Sequence, residues 1–147
     1  MFAAGGGMTD HKQTLGYLSA QLARQLSNRL REGLIPLGLL PAQFTALAEI
    51  ARDEGLTQKQ LVERLGLEQP GVARTLSGLE AMGWIERKTL KGRAQGLYLT
   101  PRAREALPRA YEVMAEIDAR ALRGLTRTER AHLLDALGEV IGENKAV

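Results

Sequence analysis

The sequence contains no cysteine. That absence removes disulfide staples, thiolate metal sites, cysteine nucleophiles and thiol-based redox sensing from consideration. Aromatic residues are scarce, at 4% of the chain, so aliphatic side chains must fill the interior. No apolar run approaches the roughly 20 residues needed to cross a bilayer. Met1 to Met8 carries neither the basic n-region nor the apolar h-region of an export signal, so a cytoplasmic location without a membrane partner is expected. There is no nucleophile elbow, Walker loop, dinucleotide fingerprint or paired-carboxylate signature, and Gly5-Gly6-Gly7 follows no strand and opens no helix. We therefore expect no enzyme, no catalytic residue and no cofactor.

What is present is an ordinary globular composition. The 147 residues, 44% hydrophobic and 25% charged, suit one mainly helical domain able to bury a core. Residues 1–9 read as a disordered leader, with Met8 as a possible natural start. The domain then spans 10–147. A net charge of +3 is only mildly basic, so the position of the charge matters more than its sum.

From Asp10 to Glu32 leucines recur at helical spacing, at Leu15, Leu18, Leu22, Leu26 and Leu30, with Gly33 as the expected stop. Pro41 suits the first turn of a second helix carrying Phe44, Leu47 and Ala51 to about Asp53. Thr57-Gln58-Lys59-Gln60 has the form of a capping box, opening a short helix that ends at Gly66. Gln69-Pro70 starts another, with Val72, Leu76 and Leu79 as its buried face to Gly83. Two short helices joined by a glycine-containing turn form a helix-turn-helix.

Trp84 to Thr89 and Gln95 to Leu99 are rich in strand formers around Lys91-Gly92-Arg93, which predicts a β-hairpin wing. Thr100-Pro101 opens a long helix with core spacing to about Gly124 and an expected bend at Pro108. Thr126-Arg127-Thr128-Glu129 is a second capping box, ahead of a last helix with Leu133, Leu134, Leu137, Val140 and Ile141. The expected fold is mainly α with a small β-hairpin wing: a winged helix-turn-helix over 41–100, flanked by dimerisation helices over 10–33 and 101–147.

The second helix of such a motif can enter a DNA major groove about 12 Å wide. With Val72, Leu76 and Leu79 inward, Gly71, Arg74 and Thr75 face outward, and Gln69 and Ser77 lie at the margins. Arg74 can fork onto guanine or phosphate, and Gln69 can pair with adenine. Thr57 and Lys59 sit at the start of the bracing helix. Between Trp84 and Arg104, Arg87, Lys88, Lys91, Arg93, Arg102 and Arg104 face only Glu86, a concentration of positive charge suited to phosphates and a narrow minor groove. The partner these features imply is double-stranded DNA. A solvated cationic hairpin and an ordinary helical hairpin are the bland alternatives.

The runs Thr57-Gln58-Lys59-Gln60-Leu61, Leu65-Gly66-Leu67, Gln69-Pro70-Gly71-Val72, Gly83-Trp84-Ile85 and Leu99-Thr100-Pro101, with Pro41-Ala42-Gln43-Phe44 upstream, together resemble the MarR family of bacterial regulators. The resemblance implies a homodimer with interlocked first and last helices, for which Leu15, Leu18, Leu22, Leu133, Leu137, Val140 and Ile141 are the candidate interface. It also implies a pseudo-palindromic operator with half-sites about one helical turn apart. Arg93 matches the arginine that family members insert from the wing tip into the minor groove. Lys91 stands where an acidic residue is usual, so the usual ion pair bracing the wing is missing or rebuilt. Gly71, Ala73 and Gly78 replace the more usual Thr, Ser and Arg.

The family resemblance further implies a repressor released by a small aromatic or phenolic effector, held between the dimerisation helices and the winged region. His11, Tyr17, Phe44 and Tyr111 are candidate lining residues, each of which also reads as a packing or surface residue. With only His11 and His132 available, a zinc site of the kind some relatives use is not expected. The alternative function is a dimeric helical adaptor, or a DNA-binding protein without operator specificity.

Overall fold

In the computed structural model, which describes residues 10–145, the order is α1 (Leu15–Leu34), α2 (Pro41–Arg52), α3 (Gln58–Leu65), α4 (Gln69–Ala81), β1 (Ile85–Thr89), β2 (Gln95–Leu99), α5 (Pro101–Ala121) and α6 (Arg127–Lys145). The architecture is mainly helical with one antiparallel hairpin, as expected. The leader assigned to residues 1–9 lies outside the described residues.

Both capping boxes form. Thr57 Oγ1 accepts from the Gln60 amide at 3.2 Å while Gln60 Oε1 accepts from the Thr57 amide at 2.9 Å. Thr126 and Glu129 repeat the exchange at 3.2 and 2.7 Å. Each exchange satisfies two helix-end donors that would otherwise lack partners.

Two boundaries of α1 differ from the expectation. Asp10 caps a separate 3-10 turn over His11–Gln13, and Thr14 then caps α1 proper by accepting from the Tyr17 amide at 3.3 Å. At the other end Gly33 does not stop the helix. It lies inside the last turn because α5 passes close by, and the chain turns at Gly38, whose φ of 76° favours glycine. Helix α5 continues through Pro108 to Ala121, slightly short of the expected end near Gly124.

One aliphatic core joins these elements. Leu34, Leu47 and Ile50 from α1 and α2, Leu61 from α3, Leu76 and Leu79 from α4, Leu97 from β2 and Ala103 and Ala110 from α5 are fully buried. Each such leucine or isoleucine contributes about 1.5–3 kcal/mol through burial. Helix α6 contributes none of these residues, and the first half of α1 is equally bare: Leu15, Leu18 and Leu22 are exposed.

The hairpin pairs Ile85 with Leu99 and Thr89 with Gln95. A third extended segment, absent from the sequence reading, joins it. The Gly55 amide donates to the Leu97 carbonyl at 2.8 Å, the Leu97 amide donates to Leu56 at 2.9 Å, and Thr57 bridges Gly96. This anchors the wing to the corner that opens α3.

Candidate nucleic-acid interface

Helix α4 turns Val72, Leu76 and Leu79 into the core, as their spacing predicts. Gln69, Gly71, Arg74 and Ser77 are exposed on the opposite face, and Thr75 is half-buried with its hydroxyl donating to the Gly71 carbonyl at 3.0 Å. A Cβ built at Gly71 meets nothing within 4 Å, so this stretch of backbone is open to close approach. Among the described residues Arg74, Gln69 and Ser77 make no side-chain hydrogen bond or ion pair within the chain. The same holds for Lys59 on α3. The Thr57 hydroxyl serves as a helix cap, which leaves its hydrogen free to donate.

The wing is less uniformly cationic than its composition suggests, because most of its positive charge is already engaged. Arg87 donates from Nε to Glu80 at 2.9 Å and from Nη1 to Gln58 at 3.2 Å, and its side chain is only 22% exposed. It ties β1 to both helices of the helix-turn-helix. Lys88 pairs with Glu86 at 3.3 Å and lies 4.7 Å from the centre of the Tyr98 ring. Arg102 donates to the Met82 carbonyl at 2.7 Å, and Arg104 reaches both oxygens of Glu54 at 2.7 Å. Lys91 and Arg93 remain, exposed at the tip around Gly92, whose φ is 88°. Among the described residues neither has an intrachain partner. With Lys91 in place of the usual acidic residue, Arg93 has no ion-pair partner among the described residues, and the wing is tied further down its strand through Arg87.

Glu54 is a residue the sequence did not single out. The Arg104 guanidinium holds its carboxyl below the ordinary range, opposed by partial burial and reinforced by the Leu99 amide, which donates to Glu54 Oε1 at 2.9 Å. Sequence separations of 45 and 50 residues gave no local signal for either contact. The Gln58–Arg87 contact, 29 residues apart, was hidden for the same reason.

The four candidate effector residues fall into two pairs. His11 and Tyr17 meet edge to face with ring centres 5.2 Å apart, and Tyr17 Oη accepts from Gln21 at 3.1 Å. Phe44 and Tyr111 meet edge to face at 5.3 Å; Phe44 is a core residue, whereas Tyr111 is exposed. A cleft of about 310 Å³ lies elsewhere, between α1 and α5, lined by Arg29, Glu32, Gly33, Arg109, Val113 and Arg120 among others. By the 3.6-residue period those α5 positions point away from Tyr111.

Most of the candidate interface residues are exposed. Leu15, Leu18 and Leu22 on α1, and Leu133, Val140 and Ile141 on α6, are exposed, and Leu137 is half-buried.

A helix-turn-helix followed directly by a hairpin with free cations at its tip is a winged helix-turn-helix, the class of protein this arrangement defines. The model of the MarR family matches residues 37–94, from the start of the helix-turn-helix region to the wing tip. An HTH-type transcriptional repressor of Mycobacterium tuberculosis is 30% identical over 129 residues, covering 84% of this chain and 93% of the relative. The chain belongs to the MarR family of transcriptional regulators, which are not enzymes. Among solved structures, mutant MarR from E. coli complexed with operator DNA superposes with a TM-score of 0.79 at 25% identity, over 86% of this chain and 92% of that one. A MarR-family protein of Mycobacterium tuberculosis in complex with salicylic acid superposes with a TM-score of 0.71 at 28% identity, over 86% and 96%.

Proposed function

We propose that this chain is a homodimeric repressor that binds double-stranded DNA at a pseudo-palindromic operator and is released by a small aromatic or phenolic acid. The observation that carries the reading is the distribution of unpaired polar groups. Each cation at the base of the wing is engaged within the chain, while Arg74 and Gln69 on α4, Lys59 on α3, and Lys91 and Arg93 at the wing tip have no partner among the described residues. They lie on the recognition helix, its bracing helix and the wing, the three elements that face a duplex in a winged helix-turn-helix.

On this reading Arg74 and Gln69 take base edges or phosphates in the major groove. Ser77, Thr57 and Lys59 hold the backbone, and Lys91 and Arg93 enter the adjacent minor groove. Arg87 and Lys88 orient the wing, and Thr75 stiffens α4 beside the open Gly71. The exposed leucines of α1 and α6 pair with those of a second copy, making 10–33 and 101–147 the dimerisation unit and 41–100 the DNA-binding unit. Exposed apolar stripes on helices that contribute so little to their own core support this division. The structures of relatives with operator DNA and with salicylic acid support the DNA and effector parts. On this reading Phe44 and Tyr111, edge to face between α2 and α5, would offer the effector's ring its surface.

The sparse recognition helix, with glycine at 71 and 78, favours a second reading in which DNA is bound with little operator specificity. Titration of purified protein against DNA upstream of its own gene and against unrelated DNA, at two salt concentrations, separates the two. Preferential, salt-sensitive binding supports the repressor. Equal weak binding to both supports the unspecific binder, and no binding leaves a dimeric adaptor.

A further inference from the structure

We infer that Arg102 and Arg104, at the start of α5, are positioning residues that fix the recognition helix and the wing at a set angle to α5. The inference rests on the reading of α4 and the wing as the DNA-binding surface. By charge alone both arginines belong to the cationic stretch of the hairpin; their geometry places them in a different role.

Arg102 donates from Nη1 to the carbonyl of Met82, the residue that closes α4, at 2.7 Å. Its guanidinium also lies over Trp84, 5.3 Å from the ring centre. A cation is favoured there, since the last carbonyls of a helix carry partial negative charge. Beside it the Thr100 hydroxyl donates to the Gly83 carbonyl at 2.6 Å and the Thr100 amide to Trp84 at 3.1 Å. The end of the recognition helix is therefore bonded directly to the first turn of α5.

Arg104 reaches the other end of the same unit. Its Nη2 lies 2.7 Å from both carboxylate oxygens of Glu54, in the corner between α2 and α3, and the same Glu54 accepts from the Leu99 amide of β2. One carboxylate thus joins α5, the base of the wing and the corner that opens the helix-turn-helix.

Apolar packing holds the body of α5, through Leu107, Ala110, Val113 and Ile117, but in its first turn only Ala103 is buried, and it offers a single methyl group. Packing alone therefore leaves the first turn some freedom to shift against α4 and the wing. Directional charged hydrogen bonds on both sides of the helix remove that freedom. Because α5 belongs to the proposed dimerisation unit, its angle to α4 sets where each recognition helix lies relative to the partner's.

The absence of cysteine allows a direct test. Spin labels are placed at Ser77→Cys on α4 and Arg123→Cys just beyond α5, and the labelled protein is diluted in excess unlabelled protein so that the measured distance is within one chain. The distance distribution is compared between this protein and versions carrying Glu54→Gln, Arg104→Gln or Arg102→Gln, each checked for folding by circular dichroism. Affinity is measured in parallel on unlabelled protein that keeps Ser77 and Arg123, for a duplex that the unsubstituted protein selects from a random pool.

Glu54→Gln is the decisive variant, because it removes no positive charge and releases Arg104. If Arg104 positions the unit, Glu54→Gln broadens the distance distribution and lowers affinity by about tenfold, since intact contacts are no longer held in register. If Arg104 is simply a phosphate contact, Glu54→Gln leaves the distribution unchanged and maintains or raises affinity, which overturns the inference for this residue. An unchanged distribution for Arg102→Gln overturns it for Arg102. Failure of the unsubstituted protein to select any duplex removes the DNA-binding reading, while the distance measurement still decides whether the linkage exists.

Discussion

Gly33 on α1 lies so close to Val113 on α5 that a Cβ at position 33 would stand 2.5 Å from Val113 Cγ1. No non-bonded pair of carbon atoms tolerates that distance, and valine has little rotamer freedom in a helix with which to retreat. Gly33→Ala gains about 1 kcal/mol of helix propensity but loses about 1–3 kcal/mol to overpacking, so we expect a net destabilisation on the order of 1 kcal/mol. In urea unfolding, Gly33→Ala and Val113→Ala should be non-additive, because removing the valine methyls relieves the clash. Strict additivity would show that the two helices do not meet as described.

The same pair explains why the end of α1 was misread from sequence. A glycine after a leucine-rich helix is ordinarily a stop signal, and the residue that overrides it is 80 positions away. What was legible was local: the capping boxes at Thr57 and Thr126 join residues three apart, and the inward spacing of Val72, Leu76 and Leu79 follows from the helical period. The charge of the wing was legible only as a sum. That Arg87 reaches Gln58 and Glu80, and Arg104 reaches Glu54, depends on contacts between elements, which no local pattern records. Of the candidate site, sequence therefore found the residues that remain free and could not separate them from those that brace.

Gly96 occupies the other close approach. A Cβ there would lie 2.9 Å from the Gly55 carbonyl oxygen and 3.0 Å from Gly55 Cα, and backbone cannot move aside as a side chain can. Gly96→Ala should therefore push the wing off the corner between α2 and α3, with a loss of about 1–3 kcal/mol. Thermal denaturation measures the loss. Amide hydrogen exchange at Leu97, whose amide bonds to Leu56, should rise above the change expected from global stability alone.

Free and engaged cations of the wing should separate in a salt titration. Lys91→Ala and Arg93→Ala each remove a proposed phosphate or groove contact without touching a bond within the chain, so each should reduce the slope of log affinity against log salt by about 0.9 and leave the melting temperature unchanged. Arg87→Ala should instead lower the melting temperature, because it releases Glu80 and Gln58. A full reduction in salt slope for Arg87→Ala with unchanged stability would reverse these roles.

Glu54 ties stability to acidity. Its folded pKa lies below the ordinary 4.5, chiefly because Arg104 donates to the charged form. A group depressed in this way stabilises the fold above its unfolded pKa, and that contribution fades as pH falls through the folded value. The stability difference between the protein and Glu54→Gln should hold constant from neutral pH to about pH 5 and shrink below pH 4.5. Chemical denaturation across that window measures it, and a difference that grows on acidification would contradict the Arg104 pairing.

The proposed dimer makes a prediction that separates assembly from folding. Leu18 on α1 and Ile141 on α6 are about half exposed, at 51% and 55%, so a charged side chain at either site disturbs no core packing within the chain. In a dimer both would be covered, and a buried, unpaired carboxylate is strongly destabilising. Leu18→Glu and Ile141→Glu should therefore give folded monomers by light scattering, with helical content close to that of the parent protein. DNA affinity should then fall by far more than the loss of one phosphate contact, because a single recognition helix holds only one half-site and the second no longer binds at high effective concentration. Retention of the dimer in both variants would move the interface to another face. Monomers with undiminished affinity would show that one protomer is the DNA-binding unit, and the pseudo-palindromic operator would have no basis.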